Sequence, residues 1–141
     1  MTHQEDSITV AVPLETAERR LRDIERWACF IRGVSAVTKT GHERYLFRIG
    51  DARSGIDLPM VCKVRSSEHR LVWQSLTPNL LEGTLRLSPL GPGHTTIRVS
   101  SSRHERGLVA DFADMIGMDT LTLVLDLAIL AAYVRGSVPE A

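Results

Sequence analysis

The sequence predicts an α+β domain in which an antiparallel sheet of about six or seven strands curves around one long C-terminal helix. Apolar and polar residues alternate over several short runs, and turn residues separate these runs. The last long stretch, Leu108–Val134, contains no Lys or Arg and repeats apolar residues at helical spacing. Its apolar stripe consists of Val109, Phe112, Ile116, Leu123, Leu127, Leu130 and Val134. Such a stripe needs a broad apolar surface to lie against, and the sheet supplies it.

One strand and two short helices are predicted before the main run of strands. The strand, Ser7–Pro13, places Ile8, Val10 and Val12 on one face. A short helix follows Pro13, and Glu18 and Arg22 are predicted to pair on its exposed side. The second short helix begins after Asp23. Its apolar face consists of Trp27, Phe30 and Ile31.

From Gly33 onward the period of the apolar residues changes from helical to alternating. The predicted strands are Val34–Thr40, Glu43–Ile49, Ile56–Arg65, Leu71–Leu76, Leu80–Leu87 and Thr95–Arg103. Short turns join them, which favours an antiparallel meander. No linker divides the chain, so residues 1–141 are predicted to form a single domain.

The composition argues against several classes of protein. Lys plus Arg and Asp plus Glu both number 17, so there is no excess of positive charge for nucleic acid. Cys29 and Cys62 form no C-x-x-C pattern, and the polar N-terminus does not resemble a signal peptide. We therefore predict a cytoplasmic protein in which both thiols are reduced. The apolar segment Gly117–Val134 contains two aspartates, each costing about 2.5 kcal/mol or more at a bilayer centre. We therefore expect no stable membrane insertion.

No motif for metal, cofactor or nucleophilic chemistry is present in the sequence. The five histidines are scattered over predicted turns and strand ends. The Gly91-Pro92-Gly93 segment is typical of a hairpin turn, and the run Ser100-Ser101-Ser102 has no neighbouring base. The sequence therefore predicts neither a metal nor a cofactor.

Two groups of polar residues are candidates for a site between sheet and helix. Strict alternation puts Ser101 and Arg103 on the same strand face as Ile97 and Val99. There they would orient a ligand. The alternative is that the strand twists outward at its end and Arg103 is solvated. Asp119 and Asp126, seven residues apart, would stack on one side of the long helix. There either could pair with Arg103 or accept a proton, or both could lie on a solvent-exposed edge. Arg103, Asp119 and Asp126 are thus the catalytic candidates.

The remaining candidates for ligand contact are large apolar residues. The aromatic candidates are Trp27, Phe30, Phe47 and Trp73. The other predicted lining residues are Leu85, Phe112, Ile116 and Leu123. Such residues also serve as plain core, and in this architecture the cavity wall and the core are partly the same surface.

Several segments resemble the START-like (SRPBCC, helix-grip) superfamily, and within it the polyketide cyclase/dehydrase and coenzyme Q-binding lipid-transport group. They are Val12-Pro13-Leu14-Glu15, the Leu21-x-Asp23-x-Glu25-x-Trp27 run, Leu71-Val72-Trp73-Gln74-Ser75, Glu82-Gly83 and Thr95-Thr96-Ile97-Arg98-Val99. The resemblance implies a helix-grip fold that binds a small hydrophobic molecule: a polyketide, an isoprenoid quinone or a lipid. The alternative it implies is a polyketide cyclase/dehydrase of the aromatase type that uses the same cavity. A third possibility is a module that assists the assembly of another protein.

The final helix also predicts a homodimer. Members of this superfamily usually carry many charges on the outer side of this helix, and this chain has few. A second apolar line runs opposite the core stripe and consists of Met118, Leu121, Leu125 and Ile129. One sheet cannot cover both sides of a helix, so we expect this line to meet a second copy of the chain, unless the N-terminal segment or the loop at Pro78 folds over it.

Overall fold

The computed structural model of the chain describes residues 2–51, 53–76, 81–103 and 124–136. The first half contains strand β1 (Thr2–Val10), helix α1 (Leu14–Leu21), a 3-10 helix (Ile24–Cys29), β2 (Ile31–Arg32), β3 (Val34–Gly41) and β4 (Arg44–Ile49). The second half contains β5 (Ile56–Arg65), a short 3-10 helix (Ser66–Glu68), β6 (Arg70–Ser75), β7 (Leu81–Pro89), β8 (Thr95–Arg103), β9 (Val124–Leu125) and helix α2 (Leu127–Val134).

Within these ranges seven strands form one antiparallel sheet in the order β1-β8-β7-β6-β5-β4-β3. Strands β3 to β8 are a meander in chain order, and β1 adds to the free edge of β8. The predicted α+β architecture, with a seven-stranded sheet and a C-terminal helix, is therefore confirmed. β1 begins at Thr2 rather than at Ser7, because its polar first half pairs with the polar end of β8. The full pairing runs from Thr2 opposite Arg103 to Val10 opposite Thr95.

Alternate side chains of the strands are buried under the helices, and we call this side of the sheet the inner face. In β5 it carries Leu58, Met60 and Cys62, each 2% exposed or less. Ala17 and Leu21 of α1 belong to the same buried core. Fully burying a Leu or Met side chain stabilises the fold by about 1.5–3 kcal/mol. This shared core therefore holds the helices to the sheet.

The prediction of one continuous helix over Leu108–Val134 is wrong at residues 124–126, whereas the predicted helix end at Val134 is confirmed. Val124 and Leu125 form β9, which pairs with β2, and the amide of Asp126 donates to the carbonyl of Phe30 at 2.7 Å. Asp126 has an extended backbone and caps α2, since its carboxylate accepts from the amide of Ile129 at 3.1 Å. Helix α2 therefore begins at Leu127. Residues 104–123, which include Phe112, Ile116, Asp119 and Leu123, lie outside the described residues.

The part of the apolar stripe that lies in α2 packs as expected. Leu130 and Val134 are completely buried, and α2 packs against β1 and α1. The hydroxyl of Tyr133 donates to the carbonyl of Arg20 at 2.8 Å, and the Arg20 guanidinium donates in return to the carbonyl of Val134. No helix among the described residues is long and apolar enough to cross a membrane.

The second apolar line, on which the predicted homodimer was based, does not form one helix face. Leu125 lies in β9, whereas Ile129 lies in α2 and is 37% exposed. Met118 and Leu121 lie outside the described residues. Helical spacing does not continue through a strand and a capping residue, so the predicted homodimer loses the interface that was proposed for it.

Candidate functional site

An aromatic cluster joins the first 3-10 helix, strand β6 and helix α2. The rings of Trp27 and Trp73 meet edge-to-face, with centroids 5.5 Å apart and planes at 86°. Phe30 lies 6.0 Å from Trp27 and 5.5 Å from Tyr133. The indole Nε1 of Trp27 donates to the carbonyl of Leu21 at 3.0 Å, which satisfies its polar group inside the core. Three of the four aromatic candidates are thus brought together.

Burial divides the predicted lining residues into two sets. Trp27 and Phe30 are 1% exposed, Phe47 is 3% exposed and Leu85 is fully buried. Protein atoms surround these four side chains, so a ligand reaches them only if the core opens. Trp73 is only half-buried. Among the described aromatic candidates it is therefore the side chain that a bound molecule can contact without rearrangement of the core.

The position of Trp73 depends on a glycine in the neighbouring strand. Trp73 pairs across the ladder with Gly83. A Cβ at Gly83 would lie 2.2 Å from Cζ2 and 2.4 Å from Cε2 of Trp73, and 2.8 Å from the carbonyl oxygen of Ser100. The indole thus lies directly over the Cα of Gly83, in space that any other residue would fill. In the sequence, Gly83 belongs to one of the segments that resemble the helix-grip superfamily. Only the strand register shows its contact with Trp73.

Ser101 follows Gly83 in the same cross-strand row. The row runs from Trp73 to Gly83 to Ser101 and ends on β1. Ser101 is half-buried and alternates with Val99, which is 5% exposed on the inner face. Its hydroxyl can donate one hydrogen bond and accept others on the inner face, one strand beyond Gly83. The backbone of Arg103 continues β8 opposite Thr2 and Leu81, and its side chain lies outside the described set.

Asp126 has a structural position that differs from the predicted one. It does not lie on the side of a helix but at its N-cap, and its carboxylate pairs with Arg32 at 2.8 Å. The amide of Ile129 and then the Arg32 guanidinium lower the pKa of this carboxyl. A carboxylate held by these two groups ties α2 to β2. Its partner in the prediction, Asp119, is outside the described residues.

Glu18 of α1 is buried, although the sequence predicted that it would lie on the exposed side of this helix. Glu18 is 8% exposed, and its Oε2 lies 3.4 Å from Nδ1 of His69. Its other oxygen is buried without a hydrogen-bond partner in the described structure. The spacing contained the signal, because Leu14, Glu18 and Leu21 follow the i, i+4, i+7 positions of a buried helix face. The predicted exposed pair with Arg22 is therefore wrong.

The remaining nucleophilic and metal-binding side chains are dispersed. Among the described residues, no three His, Cys, Asp or Glu side chains lie close enough together to hold a metal ion. Both cysteines are free thiols, with Cys29 exposed and Cys62 buried. Burial raises the pKa of the Cys62 thiol to about 12. A thiol in that state is a poor nucleophile near neutral pH.

The fold of the chain is similar to that of several solved structures. The Zhui aromatase/cyclase from Streptomyces sp. R1128 superposes with a TM-score of 0.65 at 13% identity, over 96% of this chain and 93% of that one. A protein from Thermobifida fusca gives a TM-score of 0.65 at 20% identity, with 97% and 95% coverage. The di-domain ARO/CYC BexL from the BE-7585A biosynthetic pathway gives 0.62 at 16% identity, over 96% of this chain but 46% of that one.

These superpositions, with the seven-stranded sheet and the C-terminal helix, decide the fold. The chain has the START-like, helix-grip fold. Identities this low establish the fold alone. No protein-family model matches the sequence, and no curated protein matches it. In this helix-grip domain the row from Trp73 to Ser101 lies on the inner face, the side of the sheet that the helices cover.

Proposed function

We propose that the protein binds a small hydrophobic molecule against the inner face of the sheet, with Trp73 as the apolar contact and Ser101 as the hydrogen-bonding group. The observation that carries this proposal is the half-buried indole of Trp73, held over Gly83, with Ser101 next in the same cross-strand row. An apolar surface with one polar group is typical of sites that fix the orientation of a small ligand.

The support of Trp73 favours binding energetically. Its ring is constrained by Gly83 on one side and by the ring of Trp27 on another. A ligand that covers the remaining indole surface gains about 25 cal/mol per Å² of apolar area removed from water. Because the side chain is already ordered, little conformational entropy is lost on binding.

The chemical class of the ligand is taken from the resemblance and the fold neighbours. The helix-grip resemblance implies a polyketide, an isoprenoid quinone or a lipid. Zhui and BexL are named as aromatase/cyclases, which supports the polyketide as the first choice. Polyketide-derived aromatic rings stack on an indole, and their hydroxyl and keto groups can bond to a serine.

Single-tryptophan variants test the proposal, since the chain has two tryptophans. Trp27→Phe retains Trp73, and Trp73→Phe retains Trp27. We expect a hydroxyanthraquinone to quench the fluorescence of Trp27→Phe saturably and tightly, and Trp73→Phe to bind it more weakly. Ser101→Ala should weaken binding by about two- to tenfold, the effect of one lost hydrogen bond.

The same titration with a short-chain ubiquinone and with a fatty acid ranks the three ligand classes. Native mass spectrometry of the wild-type protein provides a readout that needs no tryptophan. Absence of saturable binding by all three probes, with both variants folded by circular dichroism, would contradict the proposed function.

The alternative is a polyketide cyclase/dehydrase that uses the same surface. It rests on the aromatase/cyclase names of the fold neighbours. Arg103 and Asp119 would then be the acid/base or oxyanion partners. Arg103→Ala and Asp119→Asn would be assayed in a reconstituted polyketide system. An unchanged product distribution in both would remove these residues from catalysis.

A further inference from the structure

The outer face of the sheet carries a row of four arginines across four neighbouring strands. Arg65 of β5 pairs with Arg70 of β6, Arg70 with Arg86 of β7, and Arg86 with Arg98 of β8. We call Arg65, Arg70, Arg86 and Arg98 the arginine row. Arg86 lies between Leu85 and Leu87, which are buried on the inner face, so its side chain is directed outward.

The arginine row is costly to the fold and is only partly neutralised. Like charges directly opposite each other on neighbouring strands are destabilising. Arg70 pairs with Glu68 at 2.8 Å, and Arg98 lies 4.0 Å from Glu5. Neither Arg65 nor Arg86 has an ion-pair partner among the residues that the structure describes, and both are exposed. Residues that break a local rule without a compensating contact are typical of functional surfaces.

We propose that the arginine row is a docking surface for an α-helix of a partner protein that carries acidic residues along one side. Neighbouring strands are about 4.8 Å apart, so four strands place the arginines over about 14 Å. Glu or Asp at positions i, i+4, i+7 and i+11 of a helix span about 16 Å along its axis. Four side chains on one face of an extended strand span about 20 Å, a poorer match. Arginine suits this role because its planar group binds carboxylates with two parallel hydrogen bonds.

The charges around the row favour such a helix over a uniform polyanion. Glu68 and Glu5 lie at the two sides of the row, within 2.8 Å of Arg70 and 4.0 Å of Arg98. A nucleic acid duplex or an anionic membrane would bring negative charge onto these carboxylates as well as onto the arginines. The formal net charge of the chain is zero, so the protein as a whole is not attracted to polyanions. A narrow acidic helix brings negative charge only onto the row, where Arg65 and Arg86 have no ion-pair partner among the described residues.

The test uses a labelled helical peptide with Glu at i, i+4, i+7 and i+11, and a control peptide of the same composition with its Glu distributed around the helix. Fluorescence anisotropy at low salt measures binding to the full chain. We expect the first peptide to bind saturably and more tightly than the control peptide. Arg65→Gln/Arg86→Gln should weaken its binding by about tenfold or more. The matched variant Arg22→Gln/Arg135→Gln, which removes the same charge from exposed sites elsewhere, should not.

A stability measurement separates docking from a structural role of the arginines. Because Arg65→Gln/Arg86→Gln removes like-charge repulsion, its Tm should equal or exceed that of the wild type. A lower Tm with unchanged peptide affinity would assign the arginines to the fold and overturn the proposal. Equal losses in both double variants, or no binding of the first peptide, would also overturn it. Tighter binding of heparin, duplex DNA or phosphatidylglycerol vesicles than of the peptide would identify a polyanion surface instead.

Discussion

The indole of Trp73 occupies the space in which Gly83 lacks a side chain. A Cβ on Gly83 would come within 2.2 Å of Cζ2 of Trp73 and 2.8 Å of a backbone oxygen. The contact joins β6 to β7 and fixes the aromatic surface that we assign to the ligand. It is therefore the structural basis of the proposed site.

Gly83→Ala should displace Trp73 and destabilise the domain. Overpacking of this kind costs about 1–3 kcal/mol, and neither the indole nor the backbone of β8 can move away freely. Urea unfolding measures the loss, and near-UV circular dichroism reports the displaced ring. Gly93→Ala is the matched control, because no atom lies within 4 Å of a Cβ there. Equal stability of the two variants would show that the indole does not lie over Gly83.

Asp126→Asn should destabilise the protein in a pH-dependent manner. The pKa of Asp126 is lowered in the folded state by the amide of Ile129 and by Arg32. Its contribution is therefore fully present above the ordinary aspartate pKa of about 3.9, and it is lost as the pH falls through the lowered value. The difference in Tm between wild type and variant should be largest near neutral pH and should disappear in acid.

The same variant distinguishes a capping role from a catalytic one. We expect Asp126→Asn to retain the affinity for a hydroxyanthraquinone, because the carboxylate contacts Arg32 and the start of α2. A Tm difference that did not vary with pH, combined with loss of ligand binding, would place Asp126 in the site instead.

Thiol labelling should distinguish the two cysteines. Cys29 is exposed, whereas Cys62 is buried with a pKa raised to about 12. Ellman's reagent should therefore titrate one thiol in the native protein and both in denaturant. Cys29→Ser should leave no reactive thiol in the folded state. Rapid labelling of Cys62 in that variant would mean that the inner face opens readily.

The strands were predictable because one face of each is buried and the other is not. Alternation over Glu43–Ile49 and Ile56–Arg65 places their buried residues correctly. The polar start of β1, from Thr2 to Ser7, shows no such alternation, and its pairing with β8 is what makes it a strand. Hydrophobic periodicity therefore does not predict a polar strand at the edge of a sheet.

The interruption of the predicted helix at Val124 and Leu125 was not predictable for a similar reason. Val124 and Leu125 fit a helical repeat equally well, but they pair with Arg32 and Ile31, which lie far away in the sequence. Contacts between distant segments override local spacing. For the site, residue type identified Trp73 and alternation identified Ser101. The role of Gly83, which joins them in one row, required the register of three strands.

The central claim, that a hydrophobic ligand binds at Trp73, is tested most directly by two-dimensional ¹H–¹⁵N NMR. The two tryptophans give two indole N–H signals, which Trp27→Phe and Trp73→Phe assign. On titration with a hydroxyanthraquinone, we expect the Trp73 indole signal and the Ser101 amide to shift saturably. The Trp27 indole should shift less, because its N–H is bonded to the carbonyl of Leu21. The side-chain Nε–H of Arg86, which is on the outer face, should shift little. Saturable shifts centred on the Nε–H signals of the outer-face arginines, with the Trp73 indole unchanged, would contradict the claim.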